Sequence, residues 1–196
     1  LVSDDLANGA SFDNDDKTDQ VFNIHLEHAT KTNVRNAKED KTVTRTIKYH
    51  YAGTTKDAAP AKVQTIKFEA YDTIDQVTGK TVNTTYSPVS QQFASVKSPV
   101  ISGYTASQSE VSAQTVDSNT QDQTVTITYT ANAQKATINY VDDTTGKTIN
   151  SEAISGHTGD KIADPTEAIT NYEKQGYKLV SDDLANGASF DNDDKT

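Results

Sequence analysis

The chain has 196 residues, with Lys+Arg 18 against Asp+Glu 28, a formal net charge of −10 and a pI near 4.7. Hydrophobic residues make up only 33%, against roughly 45–50% in an average globular chain, which excludes one dense core and favours two small modules with thin cores. The acidic balance argues against nucleic acid, and the absence of cysteine excludes disulfides, zinc-thiolate sites and a cysteine nucleophile.

Threonine supplies 29 residues. It is β-branched and favours strands. Residues 1–18 read LVSDDLANGASFDNDDKT, and residues 179–196 repeat them letter for letter at an offset of 178. The expectation is one 178-residue period of a tandem array with an 18-residue overlap. Phe22, Ile24 and Leu26 alternate with Val21, Asn23 and His25, which predicts a strand with one buried face, extended over Thr18 to His28. Thr46-Ile47-Lys48-Tyr49 and Thr78-Gly79-Lys80-Thr81-Val82-Asn83 come next, each with a counterpart further on. Val89, Phe93 and Val96 have helical spacing, but the serines and Pro99 limit Ser87 to Val96 to a short or irregular helix.

Val125, Ile127 and Tyr129 alternate with threonines over Thr124 to Thr128, a second strand. Its Asp122-Gln123 lead-in matches Asp19-Gln20. Thr137-Ile138-Asn139-Tyr140 matches residues 46–49, and Thr145-Gly146-Lys147-Thr148-Ile149-Asn150 matches residues 78–83. Asp142 to Lys147 has turn chemistry, with Gly146 the expected positive-φ residue. A helix is predicted over Pro165 to Gln175, with Asp164 as N-cap, Ala168, Ile169 and Tyr172 as its apolar stripe and Gly176 as terminator. Strand, hairpin, helix, strand, strand is the order of a ubiquitin-like β-grasp, one of several topologies it permits.

The stretch from ATINYVDDTTGKTIN to SFDNDDKT resembles the MucBP module of mucus-binding (Mub) adhesins from lactobacilli. RTIKYHYAG, KVQTIKFEA, FASVKSPVISGYTASQSEVSAQTV and QDQTVTITYT resemble the companion module of the same repeats. The resemblance implies an extracellular, cell-wall-anchored surface protein of many copies. It implies adhesion to mucus glycoproteins and, for some members, immunoglobulin binding. The expected fold class is α+β and β-rich, two β-grasp modules end to end as an elongated rod. Residues 1–33 would be the C-terminal strands of a preceding MucBP-type module, 41–130 the first β-grasp-like module, and 135–196 a MucBP-type module lacking its last strand. Ile138, Tyr140 and Ile169 would then face a gap. Residues 19–28 of a neighbour would fill it, giving head-to-tail self-association.

No catalytic constellation can be assembled from the sequence, so no enzyme is expected. His25, His28, His50 and His157 are scattered and read as exposed strand positions. The Gly-Lys-Thr tripeptides at 79–81 and 146–148 lack the glycine that a phosphate loop needs five positions earlier, where Ile74 and Val141 stand, so they read as hairpin turns. The metal candidate is the acidic run Asp13, Asp15 and Asp19, which suits Ca²⁺. An EF-hand would need Asp or Asn at 17 and Gly at 18, where Lys17 and Thr18 stand, so a solvated turn competes with a structural Ca²⁺. No apolar run approaches the ~20 residues of a membrane span, so no membrane insertion is expected. A passive spacer in a surface stalk is the alternative to an adhesion module.

Overall fold

A computed structural model describes residues 1–12, 14, 17 and 19–192. It is β-rich: β1 (Ser3–Asp4), β2 (Ile24–His25), β3 (Thr30–Arg35), β4 (Lys41–Tyr51), β5 (Asp57–Asp75), β6 (Thr81–Ser87), β7 (Ser90–Phe93), β8 (Val96–Lys97), β9 (Tyr104–Ala106), β10 (Glu110–Val111), β11 (Gln114–Asp117), β12 (Gln123–Ala131), β13 (Ala133–Asp142), β14 (Lys147–His157), β15 (Lys161–Ile162), α1 (Thr166–Lys174) and β16 (Ala188–Ser189). The chain forms two compact units. One is Leu1–Val43, Thr65–Gln92 and Thr115–Gln121; the other is Thr44–Gln64, Phe93–Gln114 and Asp122–Thr196.

In the first unit, β5 is flanked by antiparallel β3 and β6, with Arg35 opposite Tyr71 and Thr85 opposite Tyr71 on the other side. Ile66, Phe68 and Ala70 are buried at every second position of β5, while Lys67 stays exposed, as the pleat requires. Val43 and Val116 complete the unit's buried apolar set. Buried Asp72 accepts from Thr84 Oγ1 and Asn36 Nδ2 at 2.7 Å and from Thr81 Oγ1 at 3.2 Å. Those donors, Thr84 first, hold its carboxyl below the usual range. Asp40 meets Arg35 Nη1 at 2.6 Å, Lys67 Nζ at 2.9 Å and the Ala70 N–H at 3.0 Å.

In the second unit, β12 lies parallel to β4, with Val125 opposite Ile47, Ile127 opposite Tyr49 and Tyr129 opposite Tyr51. β9 adds antiparallel to the far edge of β12. Ile47, Tyr49, Val111, Ile127 and Tyr129 form the core cluster. Tyr49 and Tyr129 meet edge to face at 6.4 Å, and the Tyr129 hydroxyl donates to Pro99 O at 2.6 Å. Arg45 is also fully enclosed, at 1% exposure. Its Nε and Nη2 donate to Gln64 Oε1 at 3.0 and 2.7 Å, Nη2 to Ala94 O at 2.7 Å and Nη1 to Ser112 O at 2.9 Å. Its guanidinium stacks 4.9 Å from the Phe93 ring. Burial pulls its pKa down.

The predicted alternation of 124–129 is observed: Ile127 and Tyr129 are buried and Thr124 and Thr126 exposed. β13 and β14 form the predicted hairpin, and Gly146 has φ +68°. Three expectations change. Ser87 to Val96 holds no helix. Val89 is 81% exposed and Phe93 1%, so the assumed stripe does not share a face, and Val96 pairs with Val111 in β8 and β10. The strand expected over 21–26 narrows to Ile24–His25, because β1 offers it only Ser3 and Asp4 as partners. Phe22, Ile24 and Leu26 are exposed. The predicted N-cap, Asp164, gives way to Pro165, whose ψ of 44° is not helical, and α1 starts at Thr166 without a side-chain cap bond. Asp164 instead accepts from Thr166 Oγ1 at 3.0 Å.

Removing the Arg45 side chain takes a charged donor from Gln64 Oε1, Ser112 O and Ala94 O, the last of which keeps Gln64 Nε2 at 3.0 Å, and each bond to a charged group is worth about 1.5–3 kcal/mol. Arg45→Ala should therefore lose roughly 3 kcal/mol or more in urea unfolding, with a lower midpoint and an unchanged slope. A loss below about 0.5 kcal/mol would contradict the role assigned to Arg45.

Arg35, then Lys67, then the Ala70 N–H hold the Asp40 carboxyl far below the usual range. A carboxyl depressed in the folded state stabilises above its unfolded pKa, and that contribution is lost as pH falls through the folded value. Stability should fall as pH drops from about 5 toward 2, and Asp40→Asn should be less stable at pH 7 with a flatter decline. Urea unfolding at a series of pH values measures both slopes; parallel curves would refute the linkage.

Candidate binding surface

Of the metal candidates, Asp13 and Asp15 lie outside the described residues, and Asp19 is exposed. Among the described residues no group of three or more His, Asp or Glu side chains is placed to hold a metal ion. The histidines separate into individual contacts. His28 Nδ1 lies 2.7 Å from Asp75 Oδ2, His50 Nδ1 3.0 Å from Asp57 Oδ1 and His157 Nδ1 3.4 Å from Asp160 Oδ2. His50 is half-buried rather than exposed.

Both Gly-Lys-Thr tripeptides sit in hairpin turns of the same build. Asp75 Oδ1 accepts from the N–H groups of Val77 and Thr78 at 2.8 and 2.9 Å, and Gly79 N donates to Asp75 O at 2.8 Å. Asp142 Oδ1 accepts from the Thr144 N–H at 2.9 Å, and Gly146 N donates to Asp142 O at 2.8 Å. Gly79 and Gly146 take φ of +70° and +68°, which an L side chain resists. The Thr78 N–H and His28 hold the Asp75 carboxyl down to about 2.

The second unit holds a groove of about 900 Å³ between β13, α1 and the returning segment Leu179–Leu184. Period-two alternation turns Ile138 and Tyr140 into it, and helical spacing brings Ile169 and Tyr172 to the same space. Tyr140 and Tyr172 rings lie 5.1 Å apart, with Tyr177 6.0 Å from Tyr172. The Tyr140 hydroxyl donates to Glu152 Oε2 at 3.2 Å, and burial followed by Glu152 raises its pKa. Gly176, at φ +97°, ends the helix as predicted and turns the chain back along the groove.

The returning segment is held beyond the groove. Phe190 is 7% exposed, its N–H donates to Asp160 O at 2.9 Å and its carbonyl accepts from Gly159 N at 2.9 Å. A Cβ at Gly156 would fall on the Phe190 ring, so glycine is required there. Aromatic faces beside polar groups suit a sugar ring or an extended peptide. A second, shallower saddle is lined by His50, Tyr51, Gly53, Thr54, Thr126 and Thr128. Ile138, Tyr140, Ile169 and Tyr172, core or stripe residues by their spacing, line the groove. The wall Leu179–Leu184 has no such spacing, and its signal in the sequence is its repetition at 1–6.

A Muc B2-like domain model matches residues 34–133, just over half of the chain. A Mucin binding domain model matches residues 1–28 and 134–196. A comparison with curated proteins gives no match. Among solved structures, the chain is 30% identical to Mub-RV, with a TM-score of 0.47, covering 54% of this chain and 61% of that one. It is 31% identical to a type 2 repeat of a mucus binding protein from Lactobacillus reuteri, with a TM-score of 0.45 and coverages of 66% and 73%. It is 28% identical to a mucin-binding domain from Streptococcus pneumoniae, with a TM-score of 0.43 and coverages of 53% and 97%. The chain belongs to the Muc B2-like family of mucus-binding (Mub) repeats.

Proposed function

We propose that the chain is an extracellular adhesion repeat that binds host mucin glycoproteins through their glycans, as part of a cell-wall-anchored surface protein. The observation that carries the reading is the Mucin binding domain match over 1–28 and 134–196. We read residues 1–33 and 135–196 as parts of one kind of MucBP-type module, and 41–130 as its β-grasp companion. The parallel pairing of β4 and β12 supports a β-grasp for the companion. The end-to-end, elongated arrangement of two β-grasp modules is part of this proposal, and immunoglobulin binding is a further activity of the same class. The reading is of a binding module that requires no cofactor and not of an enzyme, and at Asp13, Asp15 and Asp19 a structural Ca²⁺ competes with a solvated turn.

Exposed threonine hydroxyls on Thr124, Thr126 and Thr130 present shallow hydrogen-bonding groups to a glycan. A single repeat with such contacts binds weakly, and tandem copies gain through multivalency. Retention of the single chain on immobilised mucin tests the reading; no retention by either single or tandem copies would leave a spacer.

The chain carries −10 at neutral pH, and mucins are acidic through sialate and sulfate, so long-range Coulomb terms oppose contact. Salt screens that repulsion over roughly 8–10 Å. Binding should therefore strengthen from pH 7 toward pH 5 as the chain nears its pI of about 4.7. Modest salt should help at pH 7 and matter less at pH 5. A surface-binding titration over salt at both pH values checks this. Salt that weakens binding at both would point instead to a basic patch gripping sialate.

A further inference from the structure

The groove beside β13 has two walls, Thr137–Asp142 on one side and Leu179–Leu184 on the other. Each wall has a counterpart in the chain that already holds a strand. Residues 46–49 read TIKY and residues 137–140 read TINY, and Thr46–Tyr49 pair in parallel with Thr124–Ile127. Residues 179–184 repeat residues 1–6, and Ser3 and Asp4 pair antiparallel with His25 and Ile24. Val2 N donates to His25 O at 2.8 Å and Asp5 N to Asn23 O at 3.2 Å, and their equivalents in the groove wall are Val180 and Asp183. Among the described residues, β14 is the only strand paired with β13. One sequence answers both walls. Asn23, Ile24 and His25 are the partners that residues 2–5 hold, and the Asp19-Gln20 lead-in to them matches that of β12.

We infer that this groove takes residues 19–28 of a second copy of the chain as an added strand, so that copies associate head to tail. The inference rests on the reading that 1–33 and 135–196 are parts of one kind of module. The β4–β12 register, carried over by the motifs, sets Phe22 opposite Ile138 and Ile24 opposite Tyr140. The β1–β2 register sets the same Ile24 opposite Asp182 and His25 opposite Ser181. The edge of residues 23–25 that would meet Ser181 and Asp182 holds Ser3 and Asp4 in its own chain, so the neighbour's identical segment takes their place and the gain comes from the other edge and the apolar face. Phe22, Ile24 and Leu26 are 41%, 56% and 76% exposed in their own chain. Ile138 and Tyr140 are half-buried where their counterparts Ile47 and Tyr49 are at 0% and 2%. The contact is heterologous, so copies add head to tail, and backbone ladders on both edges set its direction.

Sedimentation velocity of the whole chain from about 10 to 500 µM, without mucin, tests this. The sedimentation coefficient should climb with concentration, and excess synthetic peptide of residues 19–28 should halt the growth. Ile24→Asp should weaken self-association about tenfold or more with an unchanged circular dichroism spectrum, since Ile24 is exposed in its own chain. Register is read by mixing two single variants in a chain that has no cysteine of its own. Ile24→Cys and Tyr140→Cys should form a disulfide-linked pair. Ile24→Cys and Asn139→Cys should not, because successive strand residues face opposite sides. A monomer at every concentration, growth untouched by Ile24→Asp, or equal cross-linking of both pairs would overturn the inference. Because the readout needs no mucin, failure of mucin binding leaves it intact, and a monomer that binds mucin overturns it alone.

Discussion

The parallel pairing of β4 with β12 is the constraint on which the second unit depends. Two parallel strands cannot be joined by a tight turn, so the chain between Tyr51 and Gln123 must leave the pair and return. That long connection needs anchors, and Arg45 supplies one at the paired strand itself. Its guanidinium reaches the carbonyls of Ala94 and Ser112 and the Gln64 amide, and it stacks on Phe93. A charged group is normally costly inside a protein, and here every contact is to a neutral acceptor or a ring face. Two stretches of the connection that form no helix are thereby fixed against the strand.

Thin cores leave polar groups to carry much of the local order. The aspartates are an example in a chain of net charge −10. Asp75 and Asp117 fold back onto N–H groups of their own turn, and Asp142 accepts first from the Thr145 hydroxyl and then from the Thr144 N–H, which lowers their pKa and places negative charge beside local donors. Asp40 and Asp72 do the same across strands of the first unit, using Arg35 and Lys67 in one case and two threonines and Asn36 in the other. An acidic surface is thus compatible with ordered hairpins, because several of its carboxylates face donors rather than one another.

The exact repeat offers an internal control. Phe12 and Phe190 share the same 18-residue sequence, yet Phe12 is 98% exposed and Phe190 7%. Phe190 has the bare backbone of Gly156 to sit on and a short ladder between β15 and β16. Identical local preference leads to different burial once the available partner differs. The same logic separates Ile138 and Tyr140 from Ile47 and Tyr49, which share a motif and a strand type but not a second flanking strand.

What the sequence determined by itself was local. Period-two alternation marked β12 and β13, Asp and Gly marked the two hairpin turns, and Gly176 marked the end of α1. The internal repeat and the family resemblance were also legible, because they depend only on residue order. Only the tertiary structure decided that Arg45 is buried, that Ser87 to Val96 pairs as strand instead of coiling, and that Leu179–Leu184 walls a groove with β13. The physical reason is range. Turn and strand preferences are set within a few residues, whereas Arg45 meets Ser112 across 67 positions of chain and Phe93 is buried only where folding brings its neighbours.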